Sequence, residues 1–460
     1  MKTYALLILF VVSFSVAEAQ DVPFHRSEFP EQRREFRKAR KAKNKGMRLA
    51  SRGPHRYQEA LDLMRTAHQF NPNNSVLNWH LGELIFHGDH TPDALPYLYK
   101  AWKLDSAVSP ELPLMLAKVM HLHHRFGEAR QFYTHYHASL RPRQARRWND
   151  TYEKYMQQVN TADSLVTMKY TTAQAEVTNP GNRINSSYPE YGPVPVPGGQ
   201  RLWFTSRRPG STGGKTDKNN MHFEDIYYLE KIGEIWSDPI NAGRGINTDD
   251  HESVVAVSSD QSEVYIRRGD PNGNLFLITG DGQRWRRQSK LPRRLRSRSN
   301  DSWIAFSPDS TRVWFVSDRR GGYGGKDIWM SELNARGRWS RPVNAGPEIN
   351  TPYDEESPFM AADGKTLFFS SQGHTGMGGF DVFVTTFHEG EYTPPINLGY
   401  PINTAGNDLH FSWCPETGQG WMSSDRTGGF GNYDLYEVTM ELLIPFEIPD
   451  QDKPEDEENP

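Results

Sequence analysis

The chain has 460 residues, of which 36% are hydrophobic and 24% are charged, and its formal net charge is -4. This length allows two or three domains with buried cores, and the low hydrophobic fraction excludes a bundle of membrane helices. The charge excludes a globally basic nucleic-acid-binding protein, and the single cysteine excludes an internal disulfide or a cysteine-based zinc site.

Residues 1–19 have the pattern of a secretory signal peptide. Lys2 precedes a short apolar run, residues 5–12, and the sequence Ala17-Glu18-Ala19 follows. A charged start, a short apolar core and an Ala-x-Ala cleavage site define such a signal, although a buried N-terminal helix is the alternative. No later stretch reaches the roughly 18 apolar residues that a membrane span requires. We therefore expect an exported protein without a transmembrane segment of its own.

A basic segment, residues 20–46, comes next. Eight lysines and arginines lie between residues 33 and 45. A run of this kind is typical of a solvated helix face or a frayed arm, and less often of a binding site.

Residues 47–163 have a helical repeat with a period close to 34. Ala60, Ala94 and Ala129 are separated by 34 and 35 residues, and a bulky residue follows each of them four positions later. Small residues at a helix crossing let paired helices approach closely. The pattern resembles the tetratricopeptide repeat, which implies a short α-solenoid with a concave face for binding partners.

Residues 164–441 change to short strands rich in glycine, asparagine and aromatic residues. The phrase Asn-x-Gly-x-x-Ile-Asn occurs four times, and a degenerate copy lies near residues 291–300. Its four full copies end at Asn185, Asn247, Asn350 and Asn403. A second phrase alternates with it, as in Val313-Trp-Phe-Val-Ser-Asp318, followed by a glycine-rich turn and Asp327-Ile-Trp-Met330. The pattern within each unit of about 50 residues predicts four short strands, and four such strands form one blade of a β-propeller.

The combination of these phrases, from about residue 45 to 440, resembles the WD40-like repeat of TolB-type propellers. It is specifically similar to envelope proteins of Bacteroidota that join a tetratricopeptide region to such a propeller. The resemblance implies a periplasmic scaffold or accessory subunit of an outer-membrane-associated complex, for which type IX secretion and gliding are the best-known settings. Members of that family continue into an OmpA-like domain that grips peptidoglycan. Here residues 442–460 are instead acidic and proline-containing, which predicts a disordered tail and puts direct cell-wall anchoring in doubt.

The predicted fold is therefore an α-solenoid followed by a five-bladed all-β propeller. Six blades are the alternative, but they would need a hidden blade in a stretch that reads as helical. The last blade lacks an outer strand of its own. We expect residues 177–185 to supply that strand, so that the ring closes and no sheet edge is left exposed.

An acidic residue recurs at the start of the innermost strand of every blade. The five positions are Glu190, Glu252, Asp301, Glu355 and Asp408. One interpretation is a ring of carboxylates at one mouth of the channel, which could bind a cation such as calcium or a basic segment. The favoured interpretation is structural, with each acid accepting hydrogen bonds in its own inter-blade turn.

The second blade carries a dense basic run in its outer strand, which we predict to be a partner-binding surface. The residues are Arg284, Arg286, Arg287, Lys290, Arg293, Arg294, Arg296 and Arg298. So many like charges call for an acidic counterpart, which could be a partner protein, an anionic lipid head group or the chain's own acidic tail. We expect no nucleic acid among the partners of an exported protein.

No motif points to catalysis. The glycine-rich turns do not continue into Lys-Ser or Lys-Thr, so they predict hairpin loops and not phosphate sites, and no hydrolase signature is present. We expect no enzymatic activity and no cofactor. The alternatives are a glycan- or peptidoglycan-binding propeller, which should expose aromatic rings at one mouth, and a glycosidase, which needs two acids facing each other across a cleft.

Overall fold

The structure, a computed structural model, describes residues 20–88, 91–168, 173–269, 274–282, 284–388, 391–414 and 417–442. The predicted signal peptide, residues 1–19, lies outside these ranges, and so does the predicted tail beyond residue 442. Within them, no helix is both long enough and apolar enough to cross a membrane.

Seven α-helices form the first domain. They are α1 (Arg33–Ala50), α2 (Tyr57–Phe70), α3 (Ser75–Phe86), α4 (Leu95–Leu104), α5 (Leu112–Leu122), α6 (Phe126–Ser139) and α7 (Pro142–Met168). Consecutive helices pack in pairs, α1 with α2, α3 with α4 and α5 with α6, and α7 covers α6. The repeated alanines Ala60, Ala94 and Ala129 are fully buried, as expected of residues that let paired helices approach closely.

The basic segment is not a separate arm. Residues 33–50 form α1, which packs against α2 and buries Phe36, Ala39, Gly46 and Leu49. The helical domain therefore begins before residue 47, and the predicted division between an arm (20–46) and a helical domain (47–163) is wrong. The cations cover only the outer face of α1, while the residues spaced at helical intervals on the other face enter the core.

The propeller begins with β1 (Ala173–Thr178), five residues after the end of α7. Blade 1 contains β2 (Glu190–Pro195), β3 (Arg201–Ser206), β4 (Asp225–Ile232), β5 (Ile235–Trp236) and β6 (Ile240–Asn241). Blade 2 contains β7 (Glu252–Val257), β8 (Glu263–Arg268), β9 (Asn274–Gly280) and β10 (Trp285–Lys290). Blade 3 contains β11 (Asp301–Phe306), β12 (Arg312–Ser317), β13 (Asp327–Glu332) and β14 (Val343–Asn344).

Two further blades complete the ring. Blade 4 contains β15 (Glu355–Met360), β16 (Thr366–Ser371), β17 (Asp381–His388), β18 (Glu391–Tyr392) and β19 (Ile396–Asn397). Blade 5 contains β20 (Asp408–Cys414), β21 (Gln419–Ser424) and β22 (Asp434–Leu442), with β1 as its outer strand. The prediction of helices followed by a five-bladed propeller is confirmed.

The ring closes through the segment that precedes blade 1. Strand β1 runs antiparallel to β22, with Ala173 opposite Leu442 and Thr178 opposite Glu437. Closure by this part of the chain was expected, but the strand is 173–178 and not 177–185. Pro180 has no N–H to donate and Gly181 has a φ of +89°, so the strand ends before them and the remaining residues form a turn.

The recurring asparagines tie each linking turn to the blade before it. The Asn247 side chain accepts from the N–H of Ile226 and donates to its carbonyl, both at 2.9 Å, and also donates to Asn241. Asn241 in turn donates to the Asp225 carboxylate at 2.7 Å. The same paired bonds to backbone join Asn185 to Leu435, Asn350 to Ile328 and Asn403 to Val382.

The link between blades 2 and 3 is different. It is the place where the sequence holds only a degenerate copy of the phrase, and the turn is fixed by the buried side chains of Leu291 and Leu295. Four links are thus held by a buried amide, and one by hydrophobic packing.

Replacing Asn185 with alanine tests how strongly this amide holds the ring. The change leaves the backbone N–H and carbonyl of Leu435 without their side-chain partner, which should lower the free energy of unfolding by about 1–3 kcal/mol. Urea denaturation measures the loss, and Asn182→Ala, at an exposed position in the same turn, is the matched control. Equal losses in the two variants would contradict the assigned role.

Candidate functional site

The five repeated acids are each bound inside their own blade. All five are buried at the start of an inner strand. Glu355 accepts from the N–H and hydroxyl of Thr351 at 2.9 and 2.6 Å and from the Ser371 hydroxyl at 2.8 Å. Asp408 accepts equivalent bonds from Thr404 and Ser424.

This arrangement does not assemble the shared cation site that was considered for Glu190, Glu252, Asp301, Glu355 and Asp408. Among the residues with described positions, no three His, Cys, Asp or Glu side chains are placed to hold a metal ion together. The acids serve the inter-blade turns, because their oxygens already accept the nearby N–H and O–H groups.

An arginine neutralises four of these acids, and sequence reasoning missed these arginines. The pairs are Arg208 with Glu190, Arg268 with Glu252, Arg319 with Asp301 and Arg426 with Asp408, at 2.7 to 3.2 Å. The sequence contains a pattern that could have identified them, because three of the arginines follow by two residues the serine that ends the second strand of their blade. Each also donates to a backbone carbonyl of the preceding turn, as Arg208 does to Ile184.

Blade 4 lacks this arginine. Gly373 stands in its place, and a Cβ there would collide with the Thr351 hydroxyl. His374 replaces only the arginine's bond to the backbone of the preceding turn, because its Nε2 donates to the Ile349 carbonyl at 3.0 Å. Glu355 therefore has no cation partner among the described residues, and burial raises its pKa to about 7 despite the hydrogen bonds from Thr351 and Ser371.

The glycine-rich turns wrap around buried aspartates. Asp327 accepts from the backbone N–H groups of Tyr323 and Gly324 at 2.6 and 3.0 Å. Asp434 accepts in the same way from Phe430 and Gly431. The N–H groups that could have cradled a phosphate are thus already bound, in agreement with the prediction that these turns are hairpin loops.

The turn of blade 4, residues 372–380, docks on the helical domain. Met377 is 0% exposed and packs into the hydrophobic core of the helices, whereas the corresponding residues of blades 3 and 5, Tyr323 and Phe430, are 52% and 39% exposed. Gln158 of α7 donates to the Gly378 carbonyl, and Gln157 donates to the Thr375 hydroxyl at 3.2 Å. Part of the helical domain that was expected to bind partners is therefore covered by the propeller itself.

A cavity of about 610 Å³ lies beside this contact, between the two domains. Its helical wall includes Lys118, His121 and Lys154, and the Lys154 ammonium lies 3.4 Å from the centre of the Tyr353 ring. Burial lowers the pKa of His121 to about 4, so this imidazole is neutral. On the propeller wall, burial raises the pKa of Asp425 to about 6.

Three carboxylates near the cavity and the ring axis, those of Asp425, Glu224 and Glu356, are engaged in local bonds. Both oxygens of Asp425 accept from Asn407, at 2.6 Å each. Near the inner strands, Glu224 lies 3.5 Å from His251, and Glu356 pairs with Lys326. Each of these three acids is therefore bound by neighbouring residues.

The centre of the ring is packed by side chains from different blades. The His410 ring lies 4.6 Å from the Trp303 ring and 5.9 Å from the Tyr191 ring, measured between centroids. These residues belong to the inner strands of blades 5, 3 and 1, so their contact fills the axis at that level.

The basic run lies on the outer strand of blade 2 and in the turn after it. The six members with described side chains, Arg284, Lys290, Arg293, Arg294, Arg296 and Arg298, are all exposed. The side chains of Arg286 and Arg287 lie outside the described part of the chain. No described acid lies within ion-pair distance of any of the six. We call this surface, formed by the six described side chains, the blade-2 basic strip.

The position of the strip has a structural explanation as well. Strand β10 is a six-residue edge strand, whereas the outermost strands of blades 1, 3 and 4 have two residues each. Lysine and arginine on an exposed edge discourage pairing with another sheet. The same charges leave a cationic surface open to an acidic partner.

Comparisons with known proteins add likenesses to other propellers. No protein-family model matches the chain, and no curated protein matches it. Among solved structures, a putative TolB from Agrobacterium tumefaciens is 16% identical over 55% of this chain and 78% of its own, with a TM-score of 0.33. TolB from Acinetobacter baumannii is 13% identical over 63% and 70%, also with a TM-score of 0.33.

A third likeness is to an enzyme. The α-L-arabinofuranosidase from Podospora anserina is 12% identical over 57% of this chain and 94% of its own, with a TM-score of 0.36. At these identities and TM-scores the likenesses say nothing about activity, and the five-bladed architecture rests on the sheet topology.

The unpaired Glu355 should make stability depend on pH. Its pKa is raised from 4.5 to about 7 in the folded chain, so its contribution is fully present below pH 4.5 and is lost as the pH rises through 7. The free energy of unfolding of the natural chain should therefore fall relative to that of Glu355→Gln between pH 5 and 8, by up to about 3 kcal/mol.

Chemical denaturation across this pH range measures the difference. Glu234→Gln is the control, because the Glu234 side chain is 94% exposed. A difference between the natural chain and Glu355→Gln that does not change with pH would show that the Glu355 carboxyl titrates normally.

Replacing Met377 with alanine should loosen the contact between the domains. The change removes a fully buried side chain, which costs about 2–5 kcal/mol. Hydrogen exchange followed by mass spectrometry should show faster exchange in residues 372–380 and in the facing part of α7. Tyr323→Ala, at the equivalent exposed position of blade 3, is the control, and unchanged exchange in the Met377 variant would refute the docking role.

Proposed function

We propose that this protein is a non-enzymatic scaffold of the periplasm, an accessory subunit of an outer-membrane-associated complex. Type IX secretion or a similar envelope machinery is the setting that the resemblance of its sequence suggests. The tetratricopeptide and propeller regions would bind partner proteins. The observation that carries the proposal is the blade-2 basic strip, whose six described side chains form no ion pair with a described acid.

The strip is well suited to partner binding by physical criteria. Its six described cations are exposed on the outer strand of blade 2 and in the turn that follows it, in a protein whose overall charge is slightly negative. A concentrated positive surface of this kind speeds association with an acidic partner and selects against basic ones, and the attraction weakens as salt rises. Binding through the strip should therefore be salt-sensitive.

The docked domains support a scaffold role in a different way. Met377 and the bonds from Gln157 and Gln158 join the propeller to the helices in a fixed arrangement. Two binding surfaces on such a platform keep a constant separation, which suits a protein that positions other proteins.

Charge reversal tests the proposal. The triple variant Arg293→Glu, Arg294→Glu and Arg296→Glu should lose an outer-membrane barrel or lipoprotein that cross-links to the natural chain in intact cells, and it should keep its fold. Mass spectrometry of the affinity-purified membrane fraction identifies the partner, and circular dichroism checks the fold.

The matched control reverses Arg336, Arg338 and Arg341, which are exposed on blade 3. Equal recovery of the partner with both triple variants would overturn the role of the strip. A soluble monomer without a protein partner would favour the alternative of glycan binding, for which the exposed rings of Tyr323 and Phe430, in equivalent turns of blades 3 and 5, are the supporting observation.

A further inference from the structure

We propose that the outer face of α1 is a second binding site, which takes an acidic segment of a partner protein. The site is a groove of about 630 Å³ lined by Arg26, Arg33, Arg37, Arg40, Lys41 and Arg48, with Phe36 beneath them. We call it the α1 groove. It belongs to the helical domain and is independent of the blade-2 basic strip, so the proposal does not rest on that surface.

Charge is strongly concentrated along this helix. The 18 residues of α1 include nine lysines and arginines and one acid, Glu35, in a protein whose formal net charge is -4. Of these nine cations, only Lys45 forms an ion pair with a described acid, Glu59, at 3.2 Å. Like charges this dense repel one another, so an acidic ligand would relieve an existing cost as well as form new contacts.

The spacing of the cations makes the groove linear. Arg33, Arg37, Arg40, Lys41 and Arg48 recur at intervals of three, four or seven to eight residues, which places them along one side of the helix. Fifteen residues of helix span about 22 Å, and an extended peptide advances about 3.3 Å per residue. The groove therefore matches an extended segment of about seven residues.

The chemistry of the lining favours carboxylates. Five of the six named cations are arginines, whose planar guanidinium groups bind carboxylates through two parallel hydrogen bonds. The groove is also poorly suited to a membrane surface. The apolar residues Phe36, Ala39 and Leu49 are buried in the domain core, so α1 offers no exposed apolar face to insert between lipids.

The position of the groove favours a separate protein over the chain's own acidic residues. Helix α1 contacts α2 and α3 and lies at one end of the stack of helices, whereas α7 lies at the other end. The chain enters β1 shortly after α7, and β1 pairs with β22, whose last residue is Leu442. The described chain thus ends near the opposite end of the helical domain from the α1 groove.

Fluorescence anisotropy with the full chain tests the proposal. The probe is a fluorescein-labelled peptide of eight glutamates, and the same peptide with glutamine in place of glutamate is the ligand control. The natural chain should bind the acidic peptide, with an affinity that falls as salt rises from 50 to 200 mM, and should not bind the glutamine peptide. The variant Arg33→Glu, Arg37→Glu and Arg40→Glu should bind at least tenfold more weakly.

These three arginines are exposed, so their replacement should leave the fold intact, and circular dichroism checks this. The triple variant Arg293→Glu, Arg294→Glu and Arg296→Glu should lose much less binding than the α1 variant, which separates this site from the blade-2 basic strip. Equal losses in both triple variants would overturn the assignment.

Two further outcomes would also overturn the proposal. If the peptide binds only after residues 443–460 are removed, the chain's own acidic segment is the occupant of the groove. If vesicles containing phosphatidylglycerol bind through Arg33, Arg37 and Arg40 while the peptide does not, the groove recognises lipid head groups.

Discussion

The propeller depends on one interaction that is repeated in four of its links. In each, a buried asparagine side chain accepts from a backbone N–H and donates to a backbone carbonyl at the start of the third strand of a blade. Leaving this pair of groups without its side-chain partner costs about 1–3 kcal/mol, so the loss of the amide weakens the ring. For blade 5 this amide is Asn185, which comes from the segment before blade 1. Closure of the ring therefore also fixes where the chain leaves α7, and so brings the helices next to blades 4 and 5.

Blade 4 shows how one copy of a repeat can acquire a different task. Its turn has exchanged the arginine for Gly373 and the exposed aromatic tip for Met377. The first change leaves Glu355 without a cation, and the second supplies the side chain that enters the helical core. The replacement of the aromatic tip by Met377 is therefore explained by the neighbouring helical domain.

Much of this architecture could be predicted from local patterns. The spacing of the asparagines gave the number of blades and the part of the chain that closes the ring, because both follow from counting phrases. The end of β1 was misplaced, since the phrase continues through Pro180 and Gly181, which belong to the turn. The segment that contains most of α1 was predicted to be an arm, because its many cations obscure the helical spacing of the apolar residues Phe36, Ala39 and Leu49.

The long-range contacts could not be predicted. The docking of Met377 joins residues more than two hundred positions apart, and nothing in a glycine-rich turn indicates which of five copies meets the helices. The arginines that pair with the acids were within reach, because they recur at a fixed distance from a serine. The aromatic residues that meet on the axis come from three different blades, and only the closed ring brings them together.

The pairing of β1 with β22 also orders the steps by which the molecule is made. Asn185 and Leu435, which bond to each other, are 250 positions apart in the chain. During synthesis the helices and four blades emerge before the strand that completes the fifth, so β1 remains without its partner until almost all of the propeller exists. Contacts of such long range form slowly, and unpaired strands are prone to aggregate in the interval. The design that removes the free edge from the finished ring thus leaves that edge exposed for most of the time the chain is growing.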